Sequence, residues 1–179
     1  MCRILVMAFV ALTISTPATA QLSETMQRAA YCTGVLKFTL ENGSPDDTPD
    51  EVCLGWKEQH HASREACVRY VQQSVRASIE QKLKRYNDYL YREMMQRALL
   101  QNADVMHLVM SRALIERKGR DDAQAVRTGR EPLSPSRKPY CVTQCRGKED
   151  RCFVDCLGQE SPTAAAIMRC AMLPDDLPY

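Results

Sequence analysis

Apolar side chains recur along this chain at intervals of three and four residues, and over no useful length at intervals of two. From Ser23 to about Asn42, the positions Met26, Ala29, Ala30, Val35, Leu36 and Leu40 fall at helical spacing. Asn42-Gly43-Ser44-Pro45 ends that pattern. Thr48-Pro49-Asp50-Glu51 opens another, with proline at the first helical position and a carboxylate three residues after the threonine. A short helix carrying Cys53 and Trp56 is expected there.

The strongest pattern follows. Val68, Val71, Val75, Ile79, Leu83, Tyr86, Leu90 and Met94 succeed one another at steps of three or four, with Arg69, Gln73, Arg76, Glu80, Lys84 and Asn87 opposite them. No Gly or Pro occurs between Lys57 and Lys118. This predicts one long amphipathic helix from about Ser63 to about Gln101, on the order of 55 Å. A second stretch with Val105, Met106, Val109, Met110, Ala113 and Leu114 runs on to Gly119. Whether the chain turns back at Asn102-Ala103-Asp104 is not decided by pattern, although a small core favours it. Residues 119–139 have the Gly, Pro and charge content of an exposed linker. After Pro162, Ala164, Ala165, Ile167, Met168 and Met172 suggest a short closing helix. The expected fold is therefore all-α, with one long amphipathic helix, an exposed linker and a C-terminal helical segment rich in cysteine.

The N-terminus changes the count of what matters. A charged start with Arg3, an apolar run from Ile4 to Ile14, and Ala18-Thr19-Ala20 before Gln21 form a secretory signal, with cleavage expected after Ala20. The run is well short of the roughly 20 residues that cross a bilayer. No membrane span is expected after cleavage, and the protein is expected to be secreted or periplasmic. The expected division is a signal at 1–20, a helical body at 21–118, the linker at 119–139 and a cysteine-rich segment at 140–179.

Removing 20 of 179 residues leaves 159, enough for one domain with a modest core. Cleavage also removes Arg3, so 23 basic and 22 acidic side chains remain. Such a balance argues against nucleic acid as a partner of the whole chain. The middle is basic, residues 62–130 holding 14 basic and 8 acidic side chains, which fits solvated helix faces. Lys82-x-Lys84-Arg85-Tyr86-x-x-Tyr89-x-Tyr91-Arg92 interleaves basic and aromatic residues, a pattern that suits an anionic polymer or membrane surface as well as a half-buried helix with tyrosine hydroxyls reaching water.

Cys2 leaves with the signal, so eight cysteines remain: Cys32, Cys53, Cys67, Cys141, Cys145, Cys152, Cys156 and Cys170. An even count in an exported chain points to disulfides. Three lie before the linker and five after it. If all pair within one chain, at least one bridge crosses residues 119–139. Within Cys141-x3-Cys145-x6-Cys152-x3-Cys156 two geometries fit. Two short antiparallel helices turning at Arg146–Arg151 would pair Cys141 with Cys156 and Cys145 with Cys152. One continuous helix would put four sulfurs on a single stripe, each seeking a partner among Cys32, Cys53, Cys67 and Cys170, because neighbouring Cβ vectors on one helix run parallel. Gly147 weakens the continuous helix by about 1 kcal/mol and favours the hairpin.

The hairpin resembles the twin Cys-x3-Cys hairpins of the small mitochondrial intermembrane-space chaperones over about 16 residues, with a shorter spacer and a secretory signal that those proteins lack. No function is carried over on so short a match. Cys-x3-Cys on helices also resembles the copper-storage four-helix bundles, which line their interiors with more cysteines than this chain holds. Thiolates with Met94, Met95, Met106, Met110, Met168 and Met172 would suit Cu(I).

Catalytic chemistry finds little support. There is no Cys-x-x-Cys, His-Glu-x-x-His, Gly-x-Ser-x-Gly or phosphate-cradling glycine loop. His60-His61 beside Glu58 would point about 100° apart on a helix, and His107 stands alone. No cofactor is expected and no residue is assigned as catalytic. The expectation is a non-enzymatic binding or structural protein that engages a protein partner, or a second copy in the manner of a coiled coil, through the long helix. Cu(I) binding through the cysteine cluster is the alternative, and an enzyme without a recognisable motif is the third.

Overall fold

The structure, a computed structural model, describes residues 21–42, 63–130, 137–174 and 177–178. Six helices and no strand occur among them: α1 (Glu24–Asn42), α2 (Arg64–Gln101), α3 (Val105–Arg127), α4 (Arg137–Gln144), α5 (Asp150–Gly158) and α6 (Pro162–Met172). The all-α, disulfide-stapled fold read from the sequence is present. The signal segment, the short helix expected after Thr48, and Cys53, Trp56, Glu58, His60 and His61 lie outside the described residues.

Local chemistry sets the boundaries. Ser63 caps α2 by accepting from the Ala66 amide at 3.2 Å. That helix then runs 38 residues without interruption to Asn102, whose φ of 48° ends it in the left-handed region that asparagine tolerates. Two residues later Asp104 caps α3, its Oδ1 accepting from the Met106 and His107 amides at 2.9 and 3.3 Å. The chain turns back here: Nη2 of Arg112 donates to Asn87 at 2.6 Å, bridging the two helices. Ser161 and Pro162 open α6 in the cap and first helical position, with Ser161 accepting from the Ala164 amide.

α1 fills the mouth of the α2–α3 hairpin. Its Met26, Ala29, Ala30, Val35 and Leu36 are fully buried, together with Leu90 of α2 and Leu108 and Ala123 of α3. Against α3 the approach is closest where two glycines meet. A Cβ on Gly34 would overlap the Glu116 carbonyl, and one on Gly119 would overlap that of Tyr31. Each helix therefore lies against the other's bare backbone. Around this crossing Tyr31 donates to Asp122 at 3.0 Å, Lys118 pairs with Asp122 at 2.6 Å, and Lys37 and Arg112 both pair with Glu116, at 2.8 and 2.6 Å. Partly exposed pairs of this kind contribute at most about 1 kcal/mol each, so they orient the crossing more than they hold it.

Two expectations change here. Residues 119–127 are the last part of α3, not the start of a linker, and Gly119 and Ala123 are buried. The glycine that looked like a helix end is needed inside the helix by the approach of α1. The long apolar stripe of α2 is also only partly used: Ile79, Tyr86 and Leu90 are buried and Leu83 and Met94 pack beside them, but Val75 is 46% exposed. With 19 residues against 38, α1 is half as long as α2 and cannot cover it.

A smaller core holds the C-terminal helices together. Cys141, Val154, Leu157 and Ala165 are buried there, with Phe153 and Met168 alongside. α6 belongs to both cores, because its Ile167 and Cys170 reach the main one. Lys82 of α2, 8% exposed, clamps the far end of α6, donating from Nζ to the Ala171 carbonyl at 2.6 Å and the Leu173 carbonyl at 2.9 Å. A buried cation at a helix C-terminus satisfies orphan carbonyls and opposes the helix dipole. Lys82→Met is expected to lower stability by about 2 kcal/mol, since two acceptors lose a charged donor. Chemical unfolding without reductant would measure this, and an unchanged midpoint would contradict the clamp.

Candidate functional site

Seven of the nine cysteines fall within the described residues, and all seven are disulfide-bonded. Cys141 pairs with Cys156 and Cys145 with Cys152, so the cluster is a hairpin of α4 and α5 and not a continuous helix. Gly147 makes the turn with φ at 73°, and nothing lies within 4 Å of where its Cβ would be. Cys32 pairs with Cys170 across 138 residues, tying α1 to α6. This bridge crosses residues 119–139, as expected if eight cysteines pair within one chain. Cys67 is buried and disulfide-bonded.

The cluster is a staple in this form. Its four sulfurs form two bridges within the hairpin. Of the methionines, Met168 packs on the smaller core that holds Cys141 and Cys156, whereas Met94 packs on the main core and Met95, Met106 and Met110 are exposed. Among the described residues no three His, Cys, Asp or Glu side chains are placed to hold a metal ion. His107 is exposed in the first turn of α3.

The basic and aromatic stretch of α2 resolves toward the half-buried helix. Lys82 caps α6, Tyr86 and Tyr89 are buried, and Arg92 lies over the Tyr89 ring and reaches the Pro178 carbonyl. Burial holds the Tyr89 phenol above its usual range, the neighbouring Glu93 carboxylate adding to the effect, and its side chain hydrogen-bonds Ser23 at the start of α1. Lys82, Tyr86, Tyr89 and Arg92 serve the fold, while Lys84 and Tyr91 of the same stretch are exposed.

The unexpected surface is the tip of the α2–α3 hairpin. Leu99 and Leu100 in the last turn of α2 are each 74% exposed, and beyond the turn Met106 is 68% exposed, with Val105, Val109, Met110 and Leu114 also exposed. Tyr91 and Met95 continue the exposure along α2 at steps of four from Leu99. The apolar stripe on α3 that periodicity singles out thus faces solvent. Its core-facing side is Leu108, Ile115, Gly119 and Ala123, narrow because α1 sits so close. Pattern alone finds an apolar face without saying which way it points. The missed signal was the small-residue pair Gly119 and Ala123, which marks the true contact.

Charge is sparse at this tip. Between Leu99 and Ser111 the only charged side chain is Asp104, and it is occupied in capping α3. Nearby Arg97 donates to the Gln21 carbonyl, and Arg112 to Asn87 and Glu116. The cations flanking the tip are engaged within the chain. No described helix is long and apolar enough to cross a membrane. In comparison with known proteins the chain matches no family model, no curated relative and no solved structure.

Proposed function

We propose that this is an exported, non-enzymatic binding protein whose disulfide-stapled helical body presents the α2–α3 tip to a protein partner. The observation that carries the reading is that exposed tip: large apolar side chains of α2 and α3 left in solvent at the end of the hairpin, beyond the part that packs on α1. Monomeric soluble proteins seldom leave contiguous apolar surface of more than a few hundred Å² in water, and larger patches usually mark interfaces. Three methionines in the exposed set add side chains that adapt readily to a partner. The bridges suit an oxidising compartment outside the cytoplasm, where a rigid presenting scaffold gains most from them.

The test pairs Leu99→Glu with Met106→Glu. Both positions are exposed, so the variant is expected to keep the parent's melting temperature within a few degrees. Chemical cross-links formed by the parent in its native fluid should disappear in the variant. Retention of the same cross-links at the same yield would remove the tip from the binding role.

A further inference from the structure

We infer that the partner seated on the tip is a second copy of this chain, docked symmetrically, hairpin against hairpin; this rests on the binding role given to the tip. Size is the first observation. Leu99, Leu100, Val105, Met106, Val109 and Met110, with Tyr91, Met95 and Leu114 beside them, are 40–74% exposed. At on the order of 100 Å² of apolar surface each, they present on the order of 900 Å². A standard stable interface covers about 800 Å² on each partner, whereas the largest patch of an ordinary monomer is roughly 300–600 Å². The tip is therefore large enough to serve as a whole dimer face.

Charge is the second observation. In a two-fold contact each surface meets itself, so any net charge on it repels its own copy. This tip passes that condition. From Tyr91 to Leu114 the charges are Arg92, Glu93, Arg97, Asp104 and Arg112, a net of +1, and between Leu99 and Ser111 Asp104 stands alone with its carboxylate accepting two amides. Within the tip Arg97 donates to the Gln21 carbonyl and Arg112 to Asn87, so both side chains are held by the chain itself and leave the apolar centre clear. Two α2–α3 hairpins laid tip to tip would place four helix ends around one apolar centre, as facing helices of a four-helix bundle do.

Sedimentation of the purified, unreduced protein over a wide concentration range tests this. The expected result is a mass twice that of the chain, with Leu99→Glu/Met106→Glu raising the dimer dissociation constant by about tenfold or more while the circular dichroism spectrum stays unchanged. An Arg76→Ala variant, altered on an exposed salt bridge away from the tip, should dimerise like the parent. A monomer at every concentration overturns the second-copy proposal. If that monomer still forms tip-dependent cross-links to another protein, the binding role survives and only the identity of the partner falls. If it instead floats with uncharged phosphatidylcholine vesicles in a tip-dependent way, the occupant is a lipid surface. If neither occurs, the binding role falls with the dimer.

Discussion

Gly34→Ala is expected to lower the stability of the folded protein by on the order of 3 kcal/mol, the upper part of the range for overpacking a closely fitted contact. In an exposed helix interior the same change would stabilise by about 1 kcal/mol, because alanine is the better helix former. The sign is reversed here by geometry. The added methyl would overlap the Glu116 carbonyl oxygen, with the Glu116 carbonyl carbon at 2.8 Å and the Arg120 amide nitrogen at 3.1 Å. These are backbone atoms of a hydrogen-bonded helix and cannot step aside, so α1 and α3 must separate. Separation would loosen the Tyr31–Asp122 and Lys37–Glu116 contacts along with the apolar core. Gly119→Ala should behave similarly, its methyl meeting the Tyr31 carbonyl carbon at 3.1 Å and the Val35 amide nitrogen at 3.3 Å. The double variant should cost less than the two single costs together, since one separation relieves both clashes. Gly147→Ala is the control: it meets nothing within 4 Å and should cost only about 1 kcal/mol for its left-handed backbone. Denaturant midpoints of the four variants decide this, and a stabilised Gly34→Ala would refute the close crossing.

Cys32→Ala/Cys170→Ala should have a larger effect than removal of either bridge of the α4–α5 hairpin, about 4 to 5 kcal/mol, because the bridge closes a loop of 138 residues. Cys145→Ala/Cys152→Ala closes only 7 and should cost about 2 kcal/mol, with Cys141–Cys156 still enclosing the same turn. Net stabilities of small domains are roughly 5 to 15 kcal/mol, so the first change approaches the whole margin. It also releases α6 from the main core, where Ile167 and Cys170 are buried beside α1. Lys82 would then be the principal tie between α2 and the end of α6. Thermal unfolding without reductant should rank the two variants in this order. A larger loss from the Cys145 and Cys152 pair would show that the hairpin, and not the long bridge, organises the C-terminal helices.

The sequence carried the elements further than their arrangement. The limits of α1, the uninterrupted α2 and the start of α6 at Pro162 all follow from caps and periodicity, which are local, whereas pattern left the turn at Asn102–Asp104 open and the structure supplies it. The bridge across residues 119–139 follows from cysteine parity, which needs no structure. What periodicity could not supply was the direction of the α3 stripe. Met106, Val109, Met110 and Leu114 have the spacing of a core face, yet the core lies against Gly119 and Ala123 because α1 approaches too closely for larger residues. Gly119 was misleading for the same reason, since glycine ends helices far more often than it lines their contacts. The candidate surface was thus visible as an apolar pattern and hidden as a site.

The covalent tie between α1 and α6 also sets a timetable. On the export route proposed above, a chain threaded from its N-terminus presents Cys32 long before the thiol it pairs with, 138 residues later. Until then, Cys53 and Cys67 are the nearest thiols to follow it. An oxidant acting on the emerging chain would join Cys32 to one of these, and such a bridge must be exchanged when Cys170 arrives. Recovery of native protein should therefore depend on a disulfide isomerase or a mild thiol buffer more than on the strength of the oxidant.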